Sequence, residues 1–303
     1  IKDVPMRLKF WGVRGSIPTP GKATVRYGGN TPSIELRLDK EELIILDAGT
    51  GIRNLGDSLI ASGASLKTYI LITHPHWDHI QGFPFFKPAL ISGNEITIVG
   101  TERKEINLQR IIADQMNKIY FPIQLNELKA NIHFKPIVEE KFEIFGAKIS
   151  TMYVNHPGFT VGYRIEYKGK VLVYISDNEP FDREAATRLT NFEKVVQDKF
   201  AIIEGDPNQR VFDFAKNADV LIHDTTYTPE EYVDKVGWGH SHYLFTLKLA
   251  AEANVKKLFL FHHEPNRSDD KVDEIVERCL NEIKTNDYSF ECFAASEGLE
   301  VTF

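Results

Sequence analysis

The sequence predicts an α/β chain, and three observations carry that class. Short runs rich in Val, Ile, Leu and Phe recur along the whole length at strand size. Segments with apolar residues at helical spacing lie between them. Several of the runs stop abruptly at His or Asp, at the strand end where layered α/β folds bind ligands. The strand pattern occurs in residues 1–138 and again in 139–303, joined near 136–140 without a Gly/Ser linker. The chain therefore reads as a single domain, 1–303, made of two halves.

Residues 8–11 form a first strand. The loop Gly12-Val13-Arg14-Gly15-Ser16-Ile17-Pro18 follows, either an ordered turn or a site wall with Arg14 or Ser16 near an anion. Residues 34–38 and 43–46 make a hairpin across 39–42. Asp47 closes the second arm, and 54–61 is a helix stopped by Gly63. Residues 68–72 are a buried strand, 81–90 helix or turn, 96–99 a strand and 102–117 a helix. Tyr120 and Phe121 are core or cleft aromatics, and His133, alone in an alternating segment, is structural. The second half has strands over 142–145, 148–154, 161–167 and 170–175, the last two joined across Lys168-Gly169. Helices over 183–189 and 212–216, a strand over 220–222, a helix over 241–253 and a strand over 257–261 follow. Residues 269–283 close the pattern as an amphipathic helix with Val272, Ile275, Val276, Cys279 and Leu280 on one face.

Composition narrows the function classes. At 42 % hydrophobic and 26 % charged residues, the chain is an ordinary globular sequence. No apolar run approaches the ~18–20 residues of a membrane span, and the N-terminus has no signal-peptide pattern. Cys279 and Cys292, two thiols that could pair, point to a reducing compartment, the cytoplasm. The formal net charge of −7 argues against a broad basic face, so a small anionic substrate is expected and an extended nucleic acid is not. A homodimer is left open.

The densest chemistry lies in His74-Pro75-His76-Trp77-Asp78-His79, directly after the 68–72 strand. Pro75 ends the strand, so the cluster is expected on a loop. Imidazole and carboxylate suit Zn, Fe or Mn. One ion takes three or four protein ligands, so four candidates here, with His156, Asp177 and His262 after later strands, imply two ions. The motif resembles the signature of the metallo-β-lactamase superfamily. That resemblance implies a four-layer αββα sandwich and a metal-dependent hydrolase. It assigns His74, His76 and His156 to one metal, and Asp78, His79 and His262 to the other, with Asp177 bridging. It also implies that Asp47 hydrogen-bonds a metal-bound His, where the residue alone would read as a turn cap. His263 is the weaker ligand. Two divalent transition-metal ions are expected, zinc ahead of manganese or iron.

Three features choose among hydrolases. Asp177 stands where β-lactamases use Cys, and His76 where di-iron oxygen reductases of this fold carry Glu. His223-Asp224-Thr225-Thr226 and His240-Ser241-His242 resemble, in part, the accessory His-Glu-Ala-Thr and His-Ser-Thr motifs of the ribonuclease Z and phosphodiesterase branch. Asp78, His240 and Asp224 are then the catalytic candidates. His240 serves as general acid and Asp224 as its partner; the alternative has His240 capping the helix that begins at 241. The glycine-rich opening looks like small phosphodiesterases, some acting on cyclic nucleotides, and the long basic arm of ribonuclease Z is not evident. The expected function is a dinuclear phosphodiesterase for a small phosphodiester such as a cyclic nucleotide. The alternatives are a glyoxalase-type thioester or lactone hydrolase, a ribonuclease Z-like RNA 3′-processing nuclease, and a metal-binding sensor without turnover.

Overall fold

A computed structural model describes residues 6–61, 63, 65–102, 106–181 and 206–303. The chain divides into two compact units: Ile1–Val138 with Ile144–Gly146 and Ser296–Phe303, and Glu139–Glu143 with Ala147–Ala295. Among the described residues, each unit is built on a seven-stranded mixed sheet.

The first sheet contains β1 (Met6–Gly12), β2 (Ser33–Leu38), β3 (Leu43–Leu46), β4 (Lys67–Leu71), β5 (Glu95–Thr101), β6 (Asn131–Ile137) and the late β14 (Glu300–Thr302). Its spatial order is β14-β1-β2-β3-β4-β5-β6. Pairing is antiparallel from β14 to β3 and parallel from β3 to β6. The change of direction falls at β3, whose four residues Leu-Ile-Ile-Leu are all buried, the composition of a strand covered on both faces. Helix α1 (Gly51–Ala61) begins three residues before the expected start and buries Ile52 and Leu55. The motif itself starts helix α2 (Trp77–Ile80). The expected 102–117 helix contracts to α3 (Leu108–Asp114), because the Asn107 side chain accepts from Arg110 N and caps it there.

The second sheet holds β7 (Lys141–Ile144), β8 (Ala147–Tyr153), β9 (Val161–Tyr167), β10 (Lys170–Ile175), β11 (Val220–Asp224), β12 (Lys257–Phe261) and β13 (Glu291–Ala294), in the order β13-β12-β11-β10-β9-β8-β7. Lys168 (φ 47°) and Gly169 (φ 77°) make the β9–β10 turn, the two positive φ values of a tight hairpin that fits strand twist. Among the described residues its helices are α4 (Pro207–Ala215), α5 (Pro229–Tyr232), α6 (Tyr243–Glu252) and α7 (Asp269–Thr285). The helix expected over 183–189 lies outside the described residues. On α7, Val272, Ile275 and Cys279 are buried while Leu280 is 48 % exposed. Leu280 follows Cys279 by one residue, and that step turns it off the buried stripe. Cys279 and Cys292 are buried free thiols. A hydrogen bond with Cys292, and then burial, push the Cys279 thiol far up. No helix among the described residues is long and apolar enough to cross a membrane.

Strand direction places the chemistry. β9 is antiparallel to both β8 and β10, and β10 to β12 pair in parallel. β8, β10, β11 and β12 therefore all run the same way and finish at one edge of their sheet. His156, Asp177, Asp224 and His262 stand at or just beyond those ends. The opposite edge is held by Asp219. Its carboxylate accepts from Val171 N (2.9 Å) and pairs with Lys256 Nζ (2.7 Å), joining three neighbouring strands at their starts. Burial raises the Asp219 carboxyl, but the Lys256 ammonium and the Val171 amide outweigh it and hold the group below its usual range. A depressed folded value stabilises above the unfolded value and ceases to do so as pH falls through the folded one. Asp219→Asn should therefore lower the urea midpoint at pH 7, and the gap to wild type should close below pH ~4. An equal gap at pH 3 and pH 7 would contradict this.

Candidate functional site

In the first unit, four candidate ligands occupy the end of β4 and the first turn of α2. His76 is the residue preceding α2, so His74 and His76 lie on the connecting loop while Asp78 and His79 are helical. This corrects the expectation of a pure loop. Pro75 does end the strand, and the chain then turns straight into helix. His74 Nε2 lies 2.8 Å from His76 Nδ1, and His79 Nε2 lies 3.3 Å from Asp78 Oδ2. Behind them sits Asp47, fully buried at the end of the neighbouring β3. Its φ of 58° bends the chain at the strand end, a conformation that a non-glycine residue adopts at a cost. Its carboxylate accepts from Thr73 N (2.8 Å) and from His79 Nδ1 (2.8 Å). The bond expected between Asp47 and a histidine of the motif is thus present.

The Gly12–Ser16 turn also serves this group. Ser16, at φ 63°, donates its backbone N–H to Asp78 Oδ2 at 2.8 Å. Arg14 is fully buried, and its Nε donates to Gly28 O at 2.9 Å, which braces the turn from inside.

In the second unit, each strand end contributes one group. His156 Nδ1 donates to Gly239 O (2.8 Å). His262, at φ 61°, meets Thr226 Oγ1 through Nδ1 (3.0 Å). An imidazole whose Nδ1–H is held by an outer acceptor presents the Nε2 lone pair to a metal. His79, His156 and His262 share this arrangement. Asp177 Oδ2 stands 3.4 Å from His262 Nε2 and 3.7 Å from His156 Nε2. These separations exceed a hydrogen bond. Tetrahedral ligands held at about 2.0–2.2 Å from one ion stand about 3.4 Å apart. The donor types and their spacing within each unit therefore fit metal ligation.

Asp224 and His240 form the expected pair, with His240 Nδ1 to Asp224 Oδ2 at 2.9 Å. Asp224 is fully buried and also accepts from Asn178 N (3.1 Å), Thr226 N (3.0 Å) and Thr226 Oγ1 (2.7 Å). Its bond to Nδ1 turns His240 Nε2 away. The His240 ring stacks on His262 with centroids 4.7 Å apart. Helix α6 begins at Tyr243 with His242 as its N-cap, so His240 is not the cap. Burial depresses His242, which keeps its ring neutral and able to accept from Phe245 N. His263 Nε2 donates to Ala295 O (2.8 Å), a bond within the fold. Sequence reasoning missed Ser16 as the donor to Asp78, Thr226 as the support of His262, and Glu179, which receives the amides of Gly237 and Gly239. Main-chain donors leave no trace in residue type.

A family model described as the beta-lactamase superfamily domain matches residues 43–208, more than half of the chain. The chain belongs to the β-lactamase superfamily. The homologues it matches along its length are metal-dependent hydrolases, and the chain is of that class. Ribonuclease Z of Thermoplasma acidophilum is 26 % identical over 301 residues, covering 88 % of this chain and 89 % of that protein. Ribonuclease Z of Staphylococcus carnosus is 25 % identical, covering 94 % and 97 %. The metallo-β-lactamase fold protein YhfI from Bacillus subtilis superposes with a TM-score of 0.67 at 16 % identity, over 99 % of both chains. The fold class is thus the αββα sandwich of metallo-β-lactamases.

The expectation of a small anionic substrate, with extended nucleic acid excluded, is overturned by these relatives, which are ribonucleases over nearly their whole length. The net charge of −7 is a sum over 303 residues. A sum says nothing of where the charges lie, and phosphate is met locally.

If Asp47 fixes the tautomer of a metal ligand, Asp47→Asn should weaken metal affinity about 10–100-fold, the usual effect of removing such a partner. Competition with a chromogenic chelator measures it directly. Affinity equal to wild type would leave Asp47 as a turn residue only.

Proposed function

We propose that the chain is a dinuclear metal-dependent phosphodiesterase of the ribonuclease Z kind, cutting RNA near a 3′ end. The observation that carries this reading is the buried Asp224–His240 pair at the strand ends beside Asp177. Hydrolysis of a thioester expels a thiolate that leaves without a proton. A phosphodiester of RNA expels a ribose alkoxide, which leaves poorly unless protonated. A positioned imidazole suits the second case. Similarity to ribonucleases Z along about nine-tenths of the chain supports the same substrate class.

His74, His76 and His156 would hold one ion, Asp78, His79 and His262 the other, and Asp177 both. Bound there, two divalent ions, zinc ahead of manganese or iron, would supply the positive charge that makes water nucleophilic near pH 7 and holds the phosphate oxygens. Asp78, with Oδ2 fixed by the Ser16 amide, accepts a hydrogen bond from the attacking water and keeps it in line. His240 delivers a proton from Nε2 to the departing ribose oxygen. Asp224 holds Nδ1–H of the same ring, so the proton delivered is the one facing substrate.

Two measurements test this. Protein purified without chelator should contain close to two transition-metal ions per chain; one ion at saturation would remove the dinuclear reading. His240→Ala should keep both ions and lose about 10²–10⁴ in kcat on RNA, the usual range for positioned acid catalysis. It should lose far less on a p-nitrophenyl phosphodiester, whose leaving group needs no proton. Absence of RNA cleavage by the wild type, with strong thioester hydrolysis, would move the chain to the glyoxalase-type alternative.

A further inference from the structure

Two residues beyond Asp177, Glu179 is only 7 % exposed. Its oxygens receive three donors from one excursion of the chain: Tyr232 Oη (2.9 Å) and Gly237 N (2.7 Å) on Oε1, and Gly239 N (2.8 Å) on Oε2. Its main chain is held as well. Glu179 N donates to Asn155 O (2.8 Å), and Asn155 Nδ2 donates to Glu179 O (3.0 Å). Glu179 therefore ties together the loop that leads to His156, the loop that follows Asp177 and the excursion that ends at His240.

These ties converge on Gly239. Its φ is 86°, and a Cβ there would stand 2.4 Å from His156 Nδ1. Its amide is taken by Glu179, its carbonyl accepts from His156 Nδ1 at 2.8 Å, and the next residue is His240. A rotation of this one residue would move His240 and release His156 together. Gly237 (φ 91°) and Gly239 both lie in the left-handed region, and glycine surrenders more backbone freedom than any other residue when it is fixed. Something must offset that loss, and amide bonds to a carboxylate are about twice as strong as those to a neutral acceptor.

We propose that Glu179 is a positioning residue for the hydrolytic reaction: its carboxylate pins Gly237–Gly239 and thereby sets the orientation of His240 and of His156. The reactive consequence rests on the proposed role of His240 as general acid. The latch itself rests only on the hydrogen bonds given above. Glu179→Gln is the sharp test, because an amide cannot accept from both glycine N–H groups; one of its ends becomes a donor facing a donor. Tyr232→Phe removes one donor and leaves both amide bonds, so it serves if the first variant does not accumulate folded.

Three readouts on the metal-loaded full chain decide the matter. Hydrogen exchange should accelerate at least about tenfold in Glu179→Gln at whichever of the Gly237 and Gly239 amides faces the new NH2 group, as expected when a local hydrogen bond to a charged group is lost. Turnover of RNA should fall about 10–100-fold in kcat with KM little changed, and p-nitrophenyl phosphodiester turnover should fall much less. In a His240→Ala background, Glu179→Gln should add little further loss on RNA, because coupled residues are not additive. Equal losses for both leaving groups, or losses that multiply with His240→Ala, would reduce Glu179 to fold support and overturn the proposal. Unchanged amide exchange would overturn it too. If His240→Ala itself shows no preference for the poor leaving group, the acid role fails. The latch is then judged on exchange and on whether Glu179→Gln weakens metal affinity through His156.

Discussion

Strand direction is the constraint on which the site depends. A ligand set drawn from residues as distant in sequence as His156 and His262 needs strands that finish at the same edge. In the second unit this is met by two antiparallel steps, β8 to β9 and β9 to β10, which restore the starting direction, followed by parallel pairing from β10 to β12. In the first unit β3 and β4 are parallel neighbours, so Asp47 and the His74–His79 cluster emerge side by side. A one-residue slip in any of these registers would turn the strand-end side chains to the other face. The fully apolar strand β3 and the apolar run that ends β12 make such a slip costly.

Around the candidate ligands, buried carboxylates do the organising. Asp47, Asp224 and Glu179 each collect two or more donors, and each set includes a main-chain amide. A carboxylate stripped of water is expensive unless its lone pairs are filled. Filled, it becomes a rigid junction between separate loops. Positive φ at Asp47 and at His262 fits the same picture. Strain at a strand end is held only where surrounding bonds over-determine it.

The sequence is most legible where chemistry and pattern coincide. Four ligand-type residues within His74–His79, directly after a β-branched strand, leave little room for anything but metal chemistry, and the hairpin over Lys168-Gly169 follows from the turn chemistry alone. The Asp224–His240 pair is visible only through a resemblance, since nothing in periodicity links residues on a strand and a distant loop. Ser16 is flagged as a site-wall residue near an anion, but its bond to Asp78 and the whole role of Glu179 escape notice, because both run through backbone amides, which every residue has. The helix cap moves from His240 to His242 because a cap is chosen by where the first turn can close, and residue type alone does not fix that. β13 and β14 are missed because Glu-Cys-Phe-Ala and Glu-Val-Thr are short and lack the unbroken apolar run that makes the equally short β3 legible. The net charge misleads outright when it is read as a distribution.

The pairing of β14 with β1 bears on how the chain folds as it is made. Residues Ser296–Phe303 belong to the first unit, where Met6 and Phe303 exchange main-chain bonds and Glu297 accepts from the Asn30 amide. A ribosome delivers these residues after everything else described here. The unit that emerges first therefore waits with one strand edge open and the Asn30 amide without its Glu297 acceptor until they arrive. The second unit contains nothing beyond Ala295 and has no such wait. Order of synthesis and order of completion are thus reversed, and the first sheet's exposed edge is the place where a chaperone or a stray strand would act on the nascent chain.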